Sequence, residues 1–202
     1  MPIHHEASAA MKKDAAAIAE KFTVEKQTEF RGELTLVVTR AQFHDIARFA
    51  KEQLGYTYLV DISSVDHFGE EPRYEMVYEL QNFERVENLR LKYTVSEDDA
   101  TAPSVVDLWP TADWHEREVF DMMGINFPGH PDLKAVGHLR RILMWDGYPF
   151  YPLRKDFPLA GRDSNTPDVA FSRAAPLAGG PFVTAPSTGD TQEREPRSRE
   201  ME

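Results

Sequence analysis

Between Trp109 and Leu133, in the run WPTADWHEREVFDMMGINFPGHPDL, this chain gathers His115, Glu116, Arg117, Glu118, Asp121 and His130. His115, Glu118, Asp121 and His130 are metal-ligand types, and His115 and Glu118 are neighbours at i, i+3 on a helix. The spacing speaks against a metal centre. HExxH is absent, the Glu-x-x-His pair of di-iron helices is reversed and unrepeated, and no second carboxylate helix is visible. A serine nucleophile would need a GxSxG turn and a nucleotide a glycine-rich loop after a strand, and the sequence has neither. Acid–base work by Glu116, Glu118 or Asp121 would require one carboxylate closed in a pocket. Three carboxylates beside one arginine read instead as a pairing network on a salt-bridged surface or interface helix.

The element that must position these groups is a helix. Between Trp114 and Met123 the spacing is helical, so Arg117 can reach Asp121 at i+4 while Trp114, Phe120 and Met123 supply apolar surface. Asp113 or Thr111 is placed to cap its start and Gly124 to close its end, after which PGHPD forces a turn. One arginine cannot neutralise three carboxylates. Their further partners are expected to be Arg140, Arg141, Arg154 or Lys155, or cations on another chain, and the second option makes the helix an interface. Trp109, Trp114, Met122 and Met123, if exposed, are residue types enriched in interface cores; the other reading places them in the chain's own core. On the interface reading, Arg117→Ala impairs assembly more than isolated folding. A second block, YPFYPLRKDFPL from Tyr148 to Leu159, reads as an extended segment. In it Arg154, Lys155 and Asp156 alternate sides, with Tyr148, Phe150, Tyr151 and Phe157 as anchors. Its arginine fork suits carboxylate recognition, the plainer reading being a solvated charge cluster.

WHEREVFDMMGINFPGHPDL, with RRIL and then YPLRKDFPL after it, closely resembles the signature of the C subunit of the proton-pumping NADH:quinone oxidoreductase, respiratory complex I. The resemblance covers roughly residues 30 to 160 and departs from the family where Lys134 to Leu139, KAVGHL, separates HPDL from RRIL. It implies a non-catalytic component of the hydrophilic arm, without a cofactor of its own. FMN and iron–sulfur clusters would belong to partner proteins of the complex. It further implies packing on the D subunit, which carries the quinone site, near the B and I subunits. Membrane association would be indirect, on the cytoplasmic face of the bacterial inner membrane, with quinone met only through the assembly. By match to the family blocks, Trp114, Glu116, Arg117, Glu118, Asp121, His130, Asp132, Arg154, Lys155 and Asp156 are the expected docking or loop-fixing positions. Two alternatives stand beside it: the homologous component of a membrane-bound hydrogenase or of a ferredoxin- or formate-linked complex, and a free-standing carboxylate-based metal enzyme built on His115, Glu118, Asp121 and His130.

The totals narrow the field. A formal charge of −11, from 34 acidic against 23 basic residues, argues against nucleic acid, because phosphate binding needs a basic surface. Without cysteine there is no disulfide, no thiolate-held cluster and no thiol nucleophile. No basic-then-apolar leader opens the sequence and no apolar run is long enough for a membrane span, so the chain is expected to be cytosolic or docked from that side.

In chain order, residues 8–22 read as an alanine-rich helix capped by Ser8. Val24 to Phe30 and Glu33 to Thr39 form a hairpin, and Thr39 is expected to cap a helix over RAQFHDIARFAKEQL that Gly55 ends. Strands over 56–65, 73–82 and 88–96 make an antiparallel meander, and SEDDATAP, residues 96–103, reads as an acidic structureless link. The result is an α+β two-layer sandwich, helices on one face of a mainly antiparallel sheet, a ferredoxin-like variant. The expected partition is residues 1–22, 23–97, 98–159 and 160–202. The last is a Gly-, Pro- and Ser-rich tail whose Phe171 and Phe182 could anchor it around a partner.

Overall fold

The computed structural model describes residues 6–133, 137–145 and 147–157. Its elements are α1 (Ala9–Lys21), β1 (Val24–Phe30), β2 (Glu33–Val38), α2 (Phe43–Leu54), β3 (Tyr58–Asp66), β4 (Tyr74–Asn82), β5 (Glu87–Val95) and α3 (Ala112–Met123). The strands form one sheet in the order β1-β2-β5-β4-β3. All pairings are antiparallel except β2 with β5, which run parallel with Leu36 opposite Leu91. That single parallel contact unites the sheet, because the β3-β4-β5 meander turns β5 back onto the hairpin. The described residues up to Tyr151 form one unit, and Pro152 begins a second.

Alternation decides the two faces. Leu34, Leu36 and Val38 of β2, Tyr74, Met76, Tyr78 and Leu80 of β4, and Leu89, Leu91, Tyr93 and Val95 of β5 are buried. The residues between them include charges that pair on the other face: Arg90 bonds Glu33 at 2.9 Å and also Glu79, and Lys92 bonds Glu75 at 2.8 Å. These half-exposed cross-strand pairs satisfy one another across three strands, and each contributes a few tenths of a kcal/mol to about 1 kcal/mol.

The apolar face is covered by helices. α2 buries Phe43, Ile46, Ala47 and Ala50, the three- and four-residue repeat expected from its sequence. Phe43 sets its ring 4.3 Å from Tyr78 and 4.6 Å from Tyr93, whose hydroxyls bond each other at 3.0 Å. α1 adds Met11, Ala15 and Ile18, and Ser8 Oγ accepts from the Met11 amide at 3.0 Å as expected of the cap. The turn after β3 is tied down by buried Arg73, which donates to both Asp66 oxygens at 2.8 and 2.9 Å.

Two local expectations need correction. Thr39 makes no side-chain cap; residues Arg40–Gln42 form a 3-10 turn and α2 starts at Phe43, with Thr39 Oγ1 directed to Gln42 Oε1 at 3.3 Å. The 96–103 link is not structureless. Asn126 N donates to Ala100 O at 2.9 Å, Ala102 N donates to Asn126 O at 2.8 Å, and Arg40 pairs with Asp99 at 2.9 Å. The link is thereby stitched to the segment that follows α3.

Gly55 ends α2 at φ +79, and a Cβ there would lie 2.9 Å from Asn82 Nδ2. Asn82 is itself committed, donating to Leu54 O and accepting from the Glu84 and Arg85 amides. Gly55→Ala is therefore expected to destabilise the chain by roughly 2 kcal/mol, read as a shift of the urea midpoint.

Candidate functional site

α3 carries most of the charged cluster, and its burial pattern sorts the cluster into inward and outward members. Thr111 precedes it without a side-chain cap, Asp113 lies in its first turn where negative charge meets the helix dipole, and Gly124 ends it at φ +77 as expected. Ala112, Glu116, Val119, Phe120 and Met123 recur at four, three, one and three residues and are all buried. Glu116 thus occupies a central position in an apolar stripe.

Glu116 is fully buried. Oε1 accepts from the Val105 amide at 2.7 Å, whereas Oε2 has no hydrogen bond of ordinary geometry. Burial pushes the carboxyl up to about 7. The Val105 amide and nearby Ser104 hydroxyl offset part of that rise, and the charges of Asp113 and Asp107 add to it. Glu116 lies near enough to the Tyr78–Tyr93 pair for its charge to act on both phenols. Burial raises both phenols well above their ordinary value, and the Glu116 charge raises them further.

Arg117 is also buried, and it turns the other way from the expected one. Nη2 lies 2.6 Å from Asp113 Oδ1 one turn back, and Nε lies 3.6 Å from Asp132 Oδ2. Asp132 Oδ2 is shared with Arg140 Nε at 3.5 Å. None of Asp113 Oδ1, Arg117 Nε or Asp132 Oδ2 closes an aligned hydrogen bond, so the group is held by charge more than by direction. His130 links both carboxylate-bearing residues. Its Nδ1 accepts from the Asp132 amide at 2.9 Å, which leaves the ring proton on Nε2 facing the Asp113 carbonyl at 3.2 Å. The PGHPD turn is thereby fastened to the first turn of α3. Removing Arg117 would leave Asp113 only His130 and Asp132 only Arg140 as charged partners, so Arg117→Ala is expected to lower folding stability, read as a shift of the urea midpoint.

Asp121 has the largest set of partners. It is fully buried, with Oδ1 2.7 Å from Arg141 Nη1. Oδ2 accepts three successive amides, Ile142 at 2.9 Å, Leu143 at 2.6 Å and Met144 at 2.9 Å. Arg141 also donates to Asp121 O at 2.9 Å and Phe150 O at 3.1 Å, and its guanidinium lies over Phe120, Tyr148 and Tyr151. One carboxylate thus folds the RRIL segment over the end of α3. Arg141 is among the cations expected to answer the helix's surplus charge, and it does so within the chain. Glu116 needs no cation, because burial favours its neutral form. Charge accounting alone therefore does not require an interface.

The outward members are few. Trp114 is 60% exposed and Glu118 is exposed; Trp109, Met122 and Met123 are buried, which settles them as core. His115 pairs with Asp61 of β3 at 3.2 Å and so joins neither Glu118 nor Asp121. Among the described residues no three His, Cys, Asp or Glu side chains come together as a metal ion would need.

Arg154, Lys155 and Asp156 belong to the second unit. Phe157 N donates to Arg154 O at 3.0 Å, so the backbone turns where an extended strand was expected. Leu159 and the tail anchors Phe171 and Phe182 lie outside the described residues, as do 134–136 of the KAVGHL segment. Sequence reasoning misses the Glu116 contact with Val105 and the Tyr78–Tyr93 pair. Only the stripe at 112, 116, 119, 120 and 123 carries a signal for the first.

Fold and site together define a small α+β protein in which a mixed sheet supports a helix whose carboxylates lock two following loops. Residues 36–163 match the family described as the respiratory-chain NADH dehydrogenase 30 Kd subunit, and the chain belongs to that family. Among its relatives is the C subunit of NADH-quinone oxidoreductase from Geotalea uraniireducens, 41% identical over 148 residues, 72% of this chain and 87% of the relative. The protein of the same name from Geobacter sulfurreducens is 46% identical over 136 residues, 67% of this chain and 80% of the relative. Among solved structures, a trypsin-resistant fragment of Nqo5 is 30% identical with a TM-score of 0.54, covering 61% of this chain and 99% of the fragment. A chain of an archaeal membrane-bound sulfane sulfur reductase complex is 27% identical with a TM-score of 0.58, covering 73% of this chain and 85% of that one. No helix among the described residues is long and apolar enough to cross a membrane.

Proposed function

We propose that this chain is a non-catalytic, cofactor-free docking component of NADH:quinone oxidoreductase. It packs against the D subunit at the quinone site, near the B and I subunits, at the cytoplasmic face of the inner membrane. Its task is to hold the module in which electrons pass from NADH to quinone with proton translocation. The observation that carries the reading is the division of labour on α3. Glu116, Arg117, Asp121, His130 and Asp132 face inward and fix loops, whereas Trp114 and Glu118 face outward. A general acid or nucleophile would have to reach substrate, and the inward carboxylates of α3, Glu116 and Asp121, are instead fully buried, with backbone amides bonded to both. Arg154, Lys155 and Asp156 act as further docking positions.

The test uses membranes of the organism lacking this chain. NADH-driven quinone reduction is expected to be lost and to return with the chain supplied, while the pure protein neither oxidises NADH nor reduces a quinone. Turnover by the pure protein, or full activity in membranes without it, would contradict the proposal.

A further inference from the structure

Trp114 and Glu118 stand one turn apart on α3, so their Cβ atoms are about 6 Å apart. The Arg117 guanidinium lies over the Trp114 ring at 5.1 Å, yet the indole remains 60% exposed. Glu118 is exposed, and among the described residues no cation pairs with it. Arg117 is taken by Asp113 and Asp132, Arg140 by Asp132, and Arg141 by Asp121. The surface continues toward the β3 edge. His115, beside Trp114, holds Asp61 at the β3 bulge, where Val60 is exposed, and the exposed rings of Tyr58 and Phe83 lie 4.9 Å apart at a tilt of 42°.

We infer that Trp114 and Glu118 form the receiving half of an arginine clamp, taking an arginine that a partner protein presents beside apolar residues. An indole face and a carboxylate one turn apart offer a guanidinium both its preferred contacts, stacking on the ring and an ion pair through its fork. Three occupants compete for the position. A second copy is disfavoured because each copy carries a charge of −11, and two such surfaces repel. A lipid surface of the anionic kind is repelled by Glu118 as well. A cationic side chain on another protein matches both the charge and the indole. The inference rests on the docking reading above and names the chemistry of what docks there.

The experiment places a photo-crosslinking benzoylphenylalanine at Trp114 in the tagged full chain in its native cells. The cross-linked peptide is then identified after solubilisation in mild detergent. The expected product joins position 114 to a segment of another protein of the complex with an arginine within a few residues of the link. Glu118→Arg is then expected to lower co-recovery of that protein about tenfold, equivalent to about 1.4 kcal/mol, and reversing the partner arginine to glutamate to restore it. Glu118 is exposed, so an unchanged thermal midpoint of the variant separates docking from folding. A cross-link to residues 158–202 of the same chain, to a second copy, to lipid, or to a segment without arginine overturns the clamp. So does a Glu118→Arg variant recovered with its partner as well as the native chain. Absence of other NADH-quinone oxidoreductase components from the pull-down of the unmodified chain overturns the docking reading itself.

Discussion

Asp121→Ala is expected to cost the chain about 3–5 kcal/mol, the range for breaking a buried ion pair by removing one partner. The substitution removes the 2.7 Å contact to Arg141 and the acceptor that the Ile142, Leu143 and Met144 amides share. Arg141 would remain under Phe120, Tyr148 and Tyr151 with its charge unanswered, which is worse than never having placed it there. Asp121→Asn separates the two contributions. It keeps an acceptor oxygen for the amides and breaks the same ion pair, so the amount by which alanine costs more than asparagine measures the amide contacts. Urea unfolding gives the free energies, and hydrogen exchange at the amides of 142–144 reports the loop directly. An alanine variant within about 1 kcal/mol of the native chain would show that Asp121 does not hold the segment.

The second large effect is a dependence on pH. The Glu116 carboxyl is held at about 7 by burial against an ordinary value of 4.5. Below 4.5 it is protonated in folded and unfolded chain alike, and its favourable contribution is fully present. As pH rises the unfolded chain ionises first, so stability falls from about 4.5 and levels off above about 7, a total near 3 kcal/mol. Glu116→Gln keeps the shape of the protonated acid and cannot ionise. The difference in stability between variant and native chain should therefore be small near pH 4 and grow to about 3 kcal/mol in the variant's favour near pH 8. Taking the difference cancels other titrating groups such as Glu79, whose carboxyl is also raised by burial. A difference that stays flat with pH would mean Glu116 is ionised within the fold and has a partner for Oε2.

Much of the architecture can be read from the chain because its signals are local. α2 repeats Phe43, Ile46, Ala47 and Ala50 at helical spacing, β4 and β5 alternate, and Gly55 and Gly124 stop helices by adopting positive φ. The parallel meeting of β2 and β5 has no local signal, since the residues that pair are more than fifty positions apart. The pairing of Arg117 shows the same limit on a smaller scale. Asp113 and Asp121 stand four residues on either side of it, and spacing cannot choose between them. The choice is made by Arg141, twenty residues away, which claims Asp121 and leaves Arg117 to Asp113. Glu116 misleads for the opposite reason. A charged residue among charged neighbours reads as a member of the cluster, although its place in the 112–123 stripe puts it in the core. Family resemblance reaches the signature blocks correctly because they are long and unusual in composition, and the match over residues 36–163 bears it out.

The central claim is that α3 and its locked loops serve an assembly, and purification of the tagged chain from detergent-solubilised membranes tests it most directly. Mass spectrometry of the recovered material is expected to find the quinone-site protein together with iron–sulfur and flavin proteins in fixed proportion to the chain. Recovery of the chain alone, or with a nickel–iron protein and no flavin protein, would contradict the account.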